Sequence, residues 1–148
     1  MDQKCFTIVS GDKSFEFRCS KFNPIDALKI GKRIIGYLTK AFDKGTLDDK
    51  GEFDKEKMNL SKIGSVLLDI SDDDLLMIFN KCILITEVKK EKGFTPIATY
   101  SSELTFYFDD VKDLMTDISK QIKFLSEVLG HNFFQSLKDV SSTISKPQ

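Results

Sequence analysis

The sequence predicts an α+β fold, mainly helical and built as a single domain with an N-terminal β-hairpin. Three observations lead there. Apolar residues alternate near the amino terminus, they recur at helical spacing in several later segments, and no repeat, linker or composition break divides the chain. A length of 148 residues suits one domain, since domains run to roughly 100–200 residues. A chain of that size buries about two-thirds of the surface its unfolded form exposes. The expected boundaries are one domain over residues 1–140 and a frayed tail over 141–148, where Ser-rich sequence ends in Lys146-Pro147-Gln148.

The hairpin comes first. Phe6 and Ile8, then Phe15 and Phe17, alternate with polar residues around Ser10-Gly11-Asp12-Lys13, which has the chemistry of a tight turn. With Gly11 and Asp12 as a two-residue turn, Phe6 faces Phe17 and Ile8 faces Phe15. Cys5 then shares a face with Thr7, and Cys19 lies on the opposite face with Phe15 and Phe17. The two cysteines cannot pair.

Asn23-Pro24 starts a helix, Asn as the cap and Pro at the first helical position. Leu28, Gly31, Ile34, Ile35, Leu38 and Phe42 recur at helical spacing on one side. Lys29, Lys32, Arg33 and Lys40 occupy the other, and Gly45 closes the helix. Residues 43–57 form a charged, glycine-punctuated connection. A calcium loop with Gly51 as its turn glycine would place Thr46 and Lys57 where carboxylates are needed, so an EF-hand is rejected.

A short helix capped by Asn59 follows, with Leu60, Ile63, Leu67 and Ile70 on one face. Ser71 caps the next, whose first turn holds Asp72, Asp73 and Asp74. Three adjacent carboxylates could suggest metal ligands. They are better read as acidic residues favoured by the helix macrodipole, because no His or second acidic cluster adjoins them. Leu75, Leu76, Phe79, Cys82 and Ile83 supply its apolar side. From Ile85 to Phe108 the pattern is extended. Thr86 and Val88, then Thr95-Pro96-Ile97, flank Glu91-Lys92-Gly93, consistent with a second short β-hairpin or a long edge loop. Asp109-Asp110 start the last and longest helix, along which Leu114, Ile118, Ile122, Leu125 and Leu129 form an apolar stripe. Gly130-His131-Asn132 is a place for it to bend or break.

Chemistry finds few footholds. The net charge of −1 balances 22 basic against 23 acidic residues, leaving no global excess to draw nucleic acid or acidic membranes. No apolar run approaches the roughly 18 residues of a membrane span, and the chain opens without a targeting pattern. Three cysteines, Cys5, Cys19 and Cys82, lack C-x-x-C spacing and suit a reduced, cytoplasmic setting. His131 is the single histidine, and no phosphate-loop, dinucleotide, zinc-protease or nucleophile-elbow motif is present. No catalytic, metal or cofactor site is expected. A nucleic-acid role would have to use the basic face of Lys29, Lys32, Arg33 and Lys40, which no aromatic or recognition-helix signature accompanies.

The composition holds 13 Phe and no Trp. Either a Phe-filled core absorbs them, or some form an apolar surface awaiting a partner. On the second reading the partner-binding residues are Ile122, Phe124, Val128, Phe133 and Phe134.

The order of features carries more than any one motif. A hairpin ending in Phe17-Arg18 leads into Phe22-Asn23-Pro24-Ile25-Asp26-Ala27-Leu28. Leu60 through Val66 precede Asp69-Ile70-Ser71-Asp72-Asp73-Asp74-Leu75. Phe108 before an acidic pair opens a long amphipathic helix that reaches Leu129-Gly130-His131-Asn132-Phe133-Phe134. This succession resembles the tail assembly chaperones of long-tailed bacteriophages and prophages: an aromatic-Arg hairpin, a Pro-x-x-Ala-Leu helix, paired short helices and a closing Asn-Phe pair. The resemblance spans Phe6 to Leu137. The charged loop at 43–57 and the high Lys content depart from it.

That resemblance implies a non-catalytic chaperone, without cofactor, that coats the helical tape-measure protein in the host cytoplasm. Tail-tube protein would later displace it, so that the mature virion lacks it. The alternative is a small phage or plasmid regulatory protein that binds nucleic acid through its first helix.

Overall fold

A computed structural model describes the backbone of residues 2–41 and 67–145, with side chains described for 2–37 and 67–133. In chain order the elements are β1 (Lys4–Ser10), β2 (Lys13–Cys19), α1 (Pro24–Ala41), α2 (Asp72–Leu84), β3 (Thr86–Lys90), β4 (Gly93–Pro96), β5 (Ala98–Tyr100), β6 (Leu104–Phe106), α3 (Asp109–Leu114) and α4 (Ile118–Ser145). The architecture is the expected α+β.

Turn chemistry sets the register of the first hairpin. Gly11 adopts φ +62, a left-handed conformation that glycine reaches without steric cost. Phe6 pairs with Phe17, Ile8 with Phe15 and Ser10 with Lys13, as the alternation requires. Cys19 is buried and Cys5 exposed, on the opposite faces predicted. The second hairpin forms around Glu91-Lys92, with Lys90 opposite Gly93 and Val88 opposite Thr95. The two hairpins are one sheet. β2 pairs with β3 through Phe17–Val88 and Cys19–Thr86, giving the antiparallel order β1-β2-β3-β4. β5 and β6 make a separate two-stranded ribbon, which the sequence pattern showed only as extended chain.

One face of the large sheet is apolar and meets α4. Phe124 is fully buried, with its ring 6.0 Å from Phe6, 5.9 Å from Phe17 and 6.2 Å from Phe79. Ile78, Cys82 and Ile83 of α2 join this core. The other face is polar: Arg18 donates to Glu87 at 2.8 Å and lies 4.3 Å from the centre of the Phe94 ring.

Two of the predicted caps, those that fall among the described residues, are present. Asn23 Oδ1 accepts from Asp26 N at 2.8 Å, and Ser71 Oγ accepts from Asp74 N at 3.3 Å. Along α1, however, Leu28 is 70% exposed while Ile30 and Ile34 are buried. The buried face runs through 27, 30, 31 and 34, displaced from the expected stripe because Gly31 has no side chain to fill it. Phe133 of α4 takes that space, so close that a Cβ on Gly31 would lie 3.1 Å from the ring.

The long final helix also differs. It breaks after Leu114, which belongs to the separate helix α3, and restarts at Ile118. Thr116 Oγ1 donates to Asp113 O at 2.6 Å, and Asp117 Oδ1 accepts from Ser119 N at 2.9 Å. These side chains compete for the backbone groups that a continuous helix would use. Gly130-His131-Asn132, by contrast, does not interrupt α4, which spans Ile118–Ser145. Phe42, Gly45, the 43–57 connection, Asn59, Leu60 and Ile63 lie outside the described residues, while Leu67 and Ile70 are buried.

Candidate functional site

The sequence nominated five residues of the last helix for partner binding, and the structure separates them. Phe124 and Val128 are fully buried, and Phe133 is 6% exposed. The expectation that they form an exposed surface is therefore corrected. Phe124 fills the centre of the sheet's apolar face, and Phe133 packs on Phe22 with ring centres 5.9 Å apart. The Phe-filled core is the reading that holds for these rings. Phe134 has no described side chain. Ile122 is half-buried and lines a groove.

That groove lies between the start of α2 and the start of α4, with Leu67 and Leu68 at one end. Its volume is about 290 Å³ and its apolar lining includes Leu75, Leu76, Phe79, Ile118, Ile122 and Leu125. Three of these residues lie largely in solvent: Leu68 at 68%, Leu76 at 60% and Ile118 at 59% exposure. Their clustering is what isolated surface leucines lack. Asp72 and Gln121 are the polar residues of the lining, and Gln121 Nε2 is engaged with Met115 O. Leu76 also borders a second cleft of about 290 Å³, with Met77, Leu84 and Tyr100. The apolar surface therefore runs along the outer side of α2.

Local sequence explains the groove. The break at Thr116-Asp117 ends α3 and lets α4 start beside α2, which leaves Ile118 on the solvent side of the first turn. Leu76 sits about 100° around α2 from Leu75, so one of two adjacent leucines faces the core side and the other faces out. Leu68, Leu76 and Ile118 were not nominated from sequence. The adjacent leucines were a usable sign for Leu76. Ile118 read as part of an unbroken core stripe.

Other candidate chemistry takes structural roles. Burial pushes the Cys19 thiol up to about 11 and the Cys82 thiol well above its ordinary value, the opposite of the activation a nucleophile needs. His131 lies against the chain start, its Nε2 3.3 Å from Asp2 O, and its backbone carbonyl accepts from Lys21 Nζ. Arg33, on the basic side of α1, is engaged with Asp74 at 2.8 Å and donates to Lys29 O at 2.9 Å. It ties α1 to α2 and is thereby withdrawn from a nucleic-acid face. Lys29 and Lys32 are exposed, and the Lys40 side chain is outside the described residues. Asp72, Asp73 and Asp74 belong to no metal-holding group among the described residues. No helix among those residues is long and apolar enough to cross a membrane.

A second polar cluster binds the amino-terminal half to α4. Asn132 Oδ1 accepts from Phe22 N at 2.7 Å, while its Nδ2 donates to Ser20 O at 3.2 Å and Val128 O at 3.0 Å. The Gly-His-Asn-Phe-Phe segment is thus a clasp.

Comparison with known protein families gives a match over most of the chain. The model of a family described as phage tail assembly chaperone protein covers residues 13–144. No curated protein and no solved structure matches.

Proposed function

The chain belongs to the phage tail assembly chaperone family, and from that premise we propose that it binds the tape-measure protein, keeping that long helical client soluble until tail-tube protein displaces it. Family membership gives the general role, a chaperone acting among phage tail proteins. The observation that supports this client is the groove: exposed Leu68, Leu76 and Ile118 surround a cleft walled by two helices. Such a cleft accepts the apolar stripe of an amphipathic helix, with anchors at i, i+3, i+4 and i+7. Asp72 in the lining and Asp73 beside it favour a client helix whose apolar stripe is flanked by lysine or arginine. Such binding needs no catalytic step and no cofactor. It takes place in the host cytoplasm, and displacement leaves the chaperone out of the virion.

Co-expression tests the proposal. The wild-type chain should keep the tape-measure protein in the soluble fraction and co-purify with it. Leu76→Ser combined with Ile118→Ser should abolish both effects while changing folding stability by only about 0.5 kcal/mol. A client that remains insoluble with the wild-type chain, or is solubilised equally by the double variant, would falsify the assignment of the groove to this client.

A further inference from the structure

The two edges of the four-stranded sheet are finished differently. Ser20 N donates to Ile85 O at 3.0 Å, which fixes the hydrogen-bonding sense of β2. Its residues 14, 16 and 18 turn their backbone groups to β3, and 13, 15, 17 and 19 turn theirs to β1. On β1 the groups of Lys4, Phe6, Ile8 and Ser10 are therefore paired, and those of Cys5, Thr7 and Val9 point outward. Val9 O confirms the sense, because it accepts from Lys120 Nζ at 2.8 Å. The Cys5 and Thr7 backbone groups have no partner among the described residues.

An edge of this kind pairs readily with another strand unless proline, a bulge or an outward charge blocks it. The opposite edge has such protection: β4 is four residues long and ends in Pro96, and Arg18 covers its Phe94 ring. β1 is seven residues long with an unbroken register, and its outward residues Cys5, Thr7 and Val9 are uncharged and exposed.

We propose that two copies of this chain pair through β1, antiparallel about a two-fold axis at Thr7, to form one continuous sheet. In this register Thr7 faces Thr7 of the second copy and exchanges its free N–H and C=O groups, while Cys5 faces Val9, whose C=O exchanges Lys120 Nζ for the Cys5 N–H of the second copy. Lys4 falls opposite Ser10, so no like charges oppose each other along the strands. The bordering helix also favours a second copy. Lys120 of α4 reaches the Val9 end of β1, and Glu127 bonds Lys4 at the other end at 2.9 Å. The two-fold axis brings Lys120 of each copy to the end where the other holds Glu127. Lys4, already paired with Glu127, shares that end, and Lys123 lies between Lys120 and Glu127 along α4, so these two cations oppose the attraction in part. This pairing is independent of the groove and of its client.

Sedimentation of the full chain over a concentration series tests the proposal. The wild-type chain should dimerise, and Thr7→Lys should weaken dimerisation by ~tenfold or more by opposing two charges on the axis. Thr7→Pro should leave a monomer with an unchanged circular dichroism spectrum, since the N–H it removes bonds nothing within the sheet. A third measurement reads the register. Opposed Cα atoms at the axis lie about 5.5 Å apart, within disulfide reach. Mild oxidation should therefore link Thr7→Cys chains in a Cys5→Ser background but not Val9→Cys chains in that background. A wild-type chain that stays monomeric at millimolar concentration overturns the proposal. So does a dimer that survives Thr7→Lys without Thr7→Cys cross-linking, or one lost instead on Leu76→Ser.

Discussion

The two halves of α4 use similar apolar residues for opposite ends. Its first turns, Ile118 to Leu125, wall an open groove. The stretch from Val128 to Phe133 is closed off by the β2–α1 connection and by α1 itself. What differs is the element opposite. The early turns face the start of α2, where large side chains hold the helices apart. The later turns face Gly31 and the Ser20–Phe22 backbone, which allow close approach and offer polar groups for Asn132 to satisfy. Packing thus leaves the first half free to bind and fixes the second in place.

The largest expected effect is at the boundary of the two halves. Phe124→Ala removes the ring that touches Phe6, Phe17 and Phe79. It should destabilise the chain by about 3–5 kcal/mol in denaturant titrations. A loss below about 1 kcal/mol would mean that the core closes without this ring and that α4 has no fixed centre.

Asn132→Leu probes the clasp and comes next. It leaves Phe22 N–H and Ser20 C=O without their partner inside a half-buried site, at a cost of roughly 1–3 kcal/mol. Asn132→Asp keeps the acceptor for Phe22 N and loses both donors, so it should fall between wild type and Leu. Hydrogen exchange at the Phe22 amide should accelerate in Asn132→Leu and much less in Asn132→Asp. Equal acceleration would show that the clasp acts through packing and not through this bond.

Local signals in the sequence held where one residue's own chemistry decides the structure. Gly11 with Asp12 set the hairpin register, and Asn23 and Ser71 capped their helices, because each of those interactions closes within a few residues. The failures share a different cause. Leu28 and Ile30 lie on nearly opposite faces of one helix, and the close approach of Phe133 to Gly31 helps decide which face is buried. Merging the two hairpins into one sheet depends on β2 meeting β3 across the intervening α1 and α2, which no local pattern records. The groove was legible only through Ile122. Exposure of Leu76 and Ile118 follows from how α2 and α4 diverge, whereas Phe124 and Phe133, nominated from the composition, were claimed by the core. Thr116-Asp117-Ile118-Ser119 did carry a cap signal, masked by the apolar period running across it.

The smallest effects give a sharp test of the contact between α1 and the second half of α4. Gly130 lies inside α4 with open space at its Cβ position. Gly130→Ala should therefore stabilise the chain by about 0.5–1 kcal/mol through helix propensity alone. Gly31→Ala brings the same propensity gain, but its methyl group would lie 3.1 Å from Phe133 Cε1, and the ring must shift by a few tenths of an ångström against Phe22. Its net effect should fall below that of Gly130→Ala. In a Phe133→Leu background the steric opposition disappears, and Gly31→Ala should recover the full gain. The coupling between the two changes, read from a double-mutant cycle, measures that contact directly. A coupling of zero would mean that Gly31 and Phe133 do not meet, and that the second half of α4 is held by Asn132, by the Lys21–His131 bond and by the packing of Phe133 on Phe22.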